Sequence, residues 1–158
     1  MIIDDQGFRA NVGIIITNTH GHVLWAKRVG KEAWQFPQGG MKPHETPEEA
    51  MYRELKEEVG LSPGDVTLLS KTAQWHYYRL PAQFIRRHTT PLCIGQKQKW
   101  FFLRLDTSDE QICLTNNDEP EFTDWRWVNY WHPLEEVIFF KRQVYRQVLR
   151  EFAALSLA

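Results

Sequence analysis

Hydrophobic positions along this chain change period several times, and the changes mark its elements. Val12-Gly13-Ile14-Ile15-Ile16 is a β-branched run that reads as a well-buried strand. Asn18 to His22 contains Gly21 and reads as a turn, with Val23 to Arg28 as the returning strand of a hairpin. Trp34-Gln35-Phe36 then leads through Pro37 to Gly39 and Gly40. From Met51 the period lengthens. Met51, Leu55 and Val59 recur every four residues, the buried stripe of a helix. Thr46-Pro47-Glu48-Glu49 supplies its start, with Thr46 as cap, Pro47 at the first helical position and Glu49 completing a capping box. Gly60 suits the position just past the end, so the helix is expected over Pro47 to Val59.

Beyond it, Ser62 to Asp65 reads as a turn or short cap, and Val66 to Tyr78 contains a strand. Leu80 to Pro91 carries two prolines and reads as a long loop. Lys97 to Leu105 is a strong strand, Asp106 to Glu110 a turn, and Ile112 to Leu114 a short strand. After a polar loop at Asn116 to Pro120, Glu121 to Val128 reads as a strand with Trp125 and Trp127 on one side. Pro133 to Val137 is a helical turn. Phe140 to Leu155 is the closing helix, buried through Val144, Val148 and Phe152, with Tyr145 and Leu149 widening the stripe. No repeat, linker or low-complexity segment interrupts this order, so one domain over residues 1–158 is expected.

Composition narrows the class. An apolar fraction of 42% and a charged fraction of 25% are those of an ordinary folded domain. Two cysteines, Cys93 and Cys113, make no disulfide framework and are expected as small buried side chains in a reducing cytoplasm. The start lacks the basic and apolar runs of a signal peptide, and no stretch approaches a membrane span. The formal net charge of −1 hides a segregation. Lys71 to Arg104 holds seven Lys or Arg and no Asp or Glu, whereas Leu105 to Trp125 holds seven Asp or Glu and no Lys or Arg. Either neighbouring strands exchange these charges, or the basic run forms a rim for a polyphosphate or an RNA backbone. Trp75, Tyr77, Tyr78 and Trp100 interleave with that run, as stacking partners for a single strand would.

The predicted helix carries the candidate chemistry. Glu54 and Glu58 are four apart and Glu57 is three beyond Glu54, so the three form an acidic face beside the apolar one. Like charges at this spacing cost a helix a few tenths of a kcal/mol per pair, roughly. A hard divalent cation would remove that cost; a solvated acidic helix laced with salt bridges fits the same charges. Arg53 reaches Glu49 or Glu57 at four-residue spacing.

The whole stretch from Gly39 to Leu61 resembles the signature of the Nudix hydrolases at Gly39, Glu45, Arg53, Glu54, Leu55, Glu57, Glu58, Gly60 and Leu61. The resemblance implies an α/β Nudix fold, a mixed β-sheet in an α/β/α sandwich, and Mg2+-dependent cleavage of a nucleoside diphosphate linked to another group, with Mn2+ as the alternative ion. It implies that Glu54, Glu57 and Glu58 hold metal with the Gly39 carbonyl, that Arg53 orients them, and that Glu121 is a distal carboxylate for metal or for the proton of water.

Outside the signature the chain resembles the bacterial RNA 5′ pyrophosphohydrolases of that family. The matching pieces are Gly7-Phe8-Arg9 with Asn11-Val12-Gly13, Trp34 to Gly40, Gly95 to Phe101, Pro120-Glu121-Phe122 with Trp125-Arg126-Trp127, and Phe140-Lys141-Arg142 with Val144-Tyr145. This implies 5′-triphosphorylated or diphosphorylated single-stranded RNA ends as partners. Arg9, Lys97 and Lys99 become phosphate contacts, Arg28 and Phe140 the pair that sandwiches a base, and Gln38 and Tyr77 lining residues. The alternatives are hydrolysis of dinucleoside polyphosphates and, in another class, a non-catalytic nucleotide-binding module. A protein activator stays unspecified.

Overall fold

The computed structural model describes residues 2–156. Its centre is the parallel pair of β1 (Phe8–Thr17) and β7 (Gly95–Leu105), which run side by side from Phe8↔Gly95 to Thr17↔Arg104. All other strand pairs are antiparallel. β5 (Val66–Lys71) and β6 (His76–Arg79) share the far edge of β7. β4 (Gln38–Gly40) takes the free edge of β1 at Asn11 to Gly13.

That placement corrects the hairpin expected for β1 and β2 (Val23–Arg28). The two pair only at Thr17↔Val23. Because β4 occupies the rest of that edge, β2 diverges and pairs instead with β3 (Trp34–Gln35) and β8 (Phe122–Val128).

Alternation along the strands divides two cores. Val12, Ile14, Ile16, Phe101 and Leu103 face Ala50, Met51, Leu55 and Val59. Ile15, Trp100 and Phe102 face α3 (Arg142–Ser156) through Val144, Tyr145, Val148, Leu149 and Phe152. A mixed sheet between two helical layers is therefore the α/β/α sandwich that the signature implied, and both predicted helical stripes are the buried ones. Trp125 and Trp127 do share a face, and their rings meet edge to face at 5.5 Å.

The helices differ from expectation at their ends. Thr46, Pro47 and Glu49 form the capping box as read, opening α1 (Pro47–Glu54). The winding then loosens into a π-helical turn over Leu55–Val59. Such turns recur where a helix carries function. Gly60 closes it at φ +78, a conformation that a Cβ disfavours, and a side chain there would also meet Cys113. Phe139–Lys141 is a 3-10 turn, so the closing helix starts at Arg142. α2 (Pro133–Glu136) is the short helical turn expected from Pro133. Ile112 to Leu114 is not a strand: the Cys113 N–H donates to the Val59 carbonyl at 2.8 Å and finishes the acidic helix instead of joining the sheet. Neither cysteine is buried, Cys113 being exposed and Cys93 half-buried.

Gly13 stands at a crowded point of the central strands. A Cβ there would fall 2.5 Å from three atoms of the buried Trp100 indole. Gly13→Ala is expected to destabilise the fold by roughly 1–3 kcal/mol through overpacking, read as a lower urea midpoint at unchanged m-value.

Candidate active site

The site is assembled from the α1 face outward. Glu54 and Glu58 are buried and Glu57 is half-exposed, and one oxygen of each lies within 4.8 Å of the others. Burial raises the Glu54 and Glu58 pKa values, and the neighbouring glutamate charges add to it. Gly39 makes room for this group, because a Cβ on it would fall inside the Glu54 carboxylate.

Arg53 is the hub. Its Nε and Nη2 donate to Glu45 at 2.6 and 2.9 Å, and Nη2 also donates to the Gly40 carbonyl at 2.9 Å. Its Nη1 donates to Glu54 at 2.9 Å and to Glu57 at 3.3 Å. Of the two expected partners only Glu57 is used, since Glu49 is turned back to accept from the Thr46 N–H. The Arg53 hydrogen bonds hold the Glu45 carboxyl down at about 2.

Glu121 meets this group from the loop before β8. Its N–H donates to Glu58 Oε2 at 3.3 Å. Burial first, then the Glu58 charge, pushes its carboxyl up to about 7.

A second, basic and aromatic group lies on the α3 face of the sheet. Lys141 is buried there, its Nζ donating to Gln35 Oε1 at 3.2 Å and to Gln38 Oε1 at 3.4 Å. Burial and the Arg28 charge press it down to about 8, partly opposed by Glu121. The Gln38 amide donates to the Tyr78 hydroxyl at 3.4 Å, and Gln98 donates to Asn11 at 2.8 Å. Phe140 packs against Tyr78 at 5.8 Å. Arg9 lies over Gly40, where a Cβ would come 2.6 Å from its Nη2, and its buried Nε has no partner among the described residues.

The short strand β4 joins the two groups. Gly39 turns toward Glu54, while Gln38 and Gly40 turn to the other side, toward Tyr78 and Arg9.

The structure thus brings together Arg53, Glu54, Glu57, Glu58, Gly39 and Glu121 on one side and Arg9, Arg28, Gln38 and Phe140 on the other. It does not bring Tyr77, Lys97 and Lys99 to the second group. Tyr77 pairs in register with Lys97, and that register shares the α1 face with Phe101. Tyr77 packs edge-on against Phe8 at 5.0 Å. Lys97 pairs with Asp4 at 3.1 Å, and Lys99 donates to the Ala73 carbonyl. Both ammoniums sit 5.0 Å from the Trp75 ring. Tyr78, one residue on, occupies the lining place read for Tyr77. Lys141, beside Phe140, is the cation that sequence reasoning did not single out. Its signal was a lysine directly after Phe139 and Phe140, just before the closing helix.

The fold and this acidic loop–helix–loop define the class: an α/β/α protein with a carboxylate-lined hydrolase site. The chain matches the NUDIX domain over residues 7–152, and it belongs to the Nudix hydrolase family. It is 60% identical over 158 residues to the RNA pyrophosphohydrolase of Cellvibrio japonicus, covering 99% of this chain and 91% of that protein. To the RNA pyrophosphohydrolase of Shewanella sp. strain MR-7 it is 57% identical over 157 residues, covering 99% and 90%.

Among solved structures, the E. coli dihydroneopterin triphosphate pyrophosphohydrolase superposes with a TM-score of 0.71 at 20% identity, covering 91% of this chain and 98% of that one. A C. elegans Ap4A hydrolase complex superposes with 0.67 at 16% identity, covering 92% and 98%. These two likenesses show the fold alone.

Glu45→Gln removes the charge that Arg53 leans on. The Glu45 pKa is depressed on folding, so its contribution is complete above the ordinary carboxylate value and fades as pH falls toward about 2. The variant is expected to be less stable by roughly 2 kcal/mol at pH 7. The gap to the native protein should narrow as denaturant melts are taken below the ordinary carboxylate value.

Proposed function

We propose that this chain hydrolyses the 5′-triphosphate end of RNA, releasing pyrophosphate and leaving a 5′-monophosphate, with diphosphorylated ends losing orthophosphate. The observation that carries the reading is the juxtaposition at β4 of a partly buried carboxylate triplet with a cationic and aromatic group that includes the buried Lys141. A substrate that is both polyphosphate and nucleobase needs both. The names of the relatives at 57–60% identity over nearly the whole chain support RNA as the carrier of that triphosphate. No helix of the described residues is long and apolar enough to cross a membrane.

The carboxylate set fits a divalent ion. It offers only oxygen donors, closely spaced, and desolvation and mutual repulsion leave the glutamates short of positive charge. Glu54, Glu57 and Glu58, with the Gly39 carbonyl, would hold Mg2+, or Mn2+ in its place. The bound ion would polarise phosphate oxygens and make a coordinated water more acidic.

The protein groups do the rest. Arg53 keeps the three carboxylates in register. Arg9, with its unpartnered Nε, and Lys141 bind phosphate oxygens, and the incoming charge would hold Lys141 protonated. Arg28 and Phe140 stack on the nucleobase. Glu121, whose backbone meets Glu58, accepts the proton that water loses as its oxygen bonds to phosphorus and the phosphoanhydride O–P bond breaks.

Glu57→Gln should fold normally and lose turnover, because Glu57 is half-exposed and carries no core packing. Normal hydrolysis by that variant would refute the metal assignment. Glu121→Gln should lower kcat by roughly 100-fold, the usual worth of a positioned base. The substrate class is tested by kcat/KM for a short 5′-triphosphorylated RNA against diadenosine tetraphosphate, with the released phosphate identified. Preference for RNA with pyrophosphate as product is expected. Preference for the dinucleotide would move the function to dinucleoside polyphosphate hydrolysis, and turnover of neither would favour a nucleotide-binding module.

A further inference from the structure

We propose that Asn117 is a positioning residue that fixes Glu58 and thereby sets the affinity of the acidic centre for a divalent cation. The inference rests on the reading of Glu54, Glu57 and Glu58 as metal-holding. It is carried by a set of contacts that the signature does not include.

Glu58 is buried, and both of its oxygens receive a hydrogen bond from one loop. Asn117 Nδ2 donates to Oε1 at 3.1 Å and the Glu121 N–H donates to Oε2 at 3.3 Å. The Asn117 side chain is itself held, because its Oδ1 accepts from the Glu119 N–H at 3.1 Å. With the oxygen taken by the local turn, the amide NH2 is presented to Glu58 in one orientation.

The neighbouring Asn116 secures the same loop to the backbone of the acidic turn. Its Nδ2 donates to the Lys56 carbonyl at 2.9 Å, and Cys113 N–H does the same to Val59 at 2.8 Å. Residues 113–121 are thereby fastened along the π-helical turn from Lys56 to Val59.

This arrangement answers a specific difficulty. A buried carboxylate beside two others is driven toward protonation or toward a rotamer that escapes its neighbours. A neutral donor on one oxygen favours the charged form and fixes the side chain without competing as a cation. The second oxygen lobe stays free to ligate, since each carboxylate oxygen has two lone pairs. Partners of this kind, behind the ligands of a metal, typically change metal affinity by 10–100-fold when removed. Glu121 belongs to the same loop, so the contact also couples the placement of Glu58 to that of the distal carboxylate.

The test is a titration of the full chain with Mn2+, following free Mn2+ by electron paramagnetic resonance, for the native protein, Asn117→Ala, Asn117→Ser and Glu58→Gln. The serine variant keeps an acceptor for the local turn but loses the reach to Glu58. Melting curves without metal verify that each variant folds. Both Asn117 variants are expected to bind Mn2+ about tenfold more weakly. With saturating Mn2+, KM for triphosphorylated RNA should stay within about twofold of native, as it should for a residue that acts through the metal centre.

Native-like affinity in Asn117→Ala overturns the proposal. Weakening in Asn117→Ala but not in Asn117→Ser also overturns it, because the turn and not the amide would then be responsible. If the native protein binds Mn2+ no better than Glu58→Gln, the metal reading and the inference fall together. A clear Glu58→Gln loss beside unaltered Asn117 variants sinks the inference alone.

Discussion

Three carboxylates gathered in one partly buried turn repel one another, and the rest of the structure is arranged around that repulsion. At 4 Å and an effective dielectric constant of 20, two like charges oppose each other by about 4 kcal/mol. That is comparable to a large part of a small domain's stability. Arg53 meets this with one guanidinium shared among Glu45, Glu54, Glu57 and the Gly40 carbonyl. The loop from 113 to 121 meets it from the other side, with neutral donors on Glu58 and on the carbonyls of the turn. What remains uncompensated is negative charge.

The sheet turns this local tension into a site with two halves. β4 is three residues long and lies on the edge of β1, where its alternation points Gly39 to the acidic group and Gln38 and Gly40 to Tyr78, Lys141 and Arg9. The carboxylates and the cationic and aromatic group thus lie on opposite sides of one short strand. Burial does the electrostatic tuning in both halves. It moves Glu121 up to about 7 and Lys141 down to about 8, which leaves an acid and a base of opposite sign both close to neutrality.

The segregated charges have a less specialised destiny. Lys71 pairs with Glu48, Lys97 with Asp4 and Arg104 with Asp106, so three of the seven cations of the basic run meet an acid. Arg79 sits over the Phe8 ring. Arg86 and Arg87 are exposed, in the segment that also places Phe84 against Phe140 at 5.6 Å. The interleaved aromatics divide likewise. Tyr78 and Trp100 are core residues, while Tyr77 is exposed on the face opposite to Tyr78 and Lys141.

By itself the sequence determined whatever depends on neighbours along the chain. The capping box at Thr46, the stripes through Met51, Leu55, Val59 and through Val144, Val148, Phe152, the acidic triplet and the strands around Ile14 and Phe101 all follow from short-range periodicity and local hydrogen bonding. Spacing within the signature likewise identified the carboxylate turn and its glycine.

Tertiary structure alone decided what depends on distant chain segments competing for one edge or one face. β4 displaced the β1–β2 hairpin because only one strand can fill the edge of β1 at Asn11 to Gly13. Register on β6 and β7 sent Tyr77, Lys97 and Lys99 to one face and Tyr78 and Gln98 to the other, since a shift of one residue reverses every side chain. Arg53 chose Glu45, eight residues away, over the helical partner Glu49 because the loop brought Glu45 back to it. Lys141 and Asn117 gained their places for the same reason: a buried cation and a neutral amide acquire a role only from what the fold sets beside them.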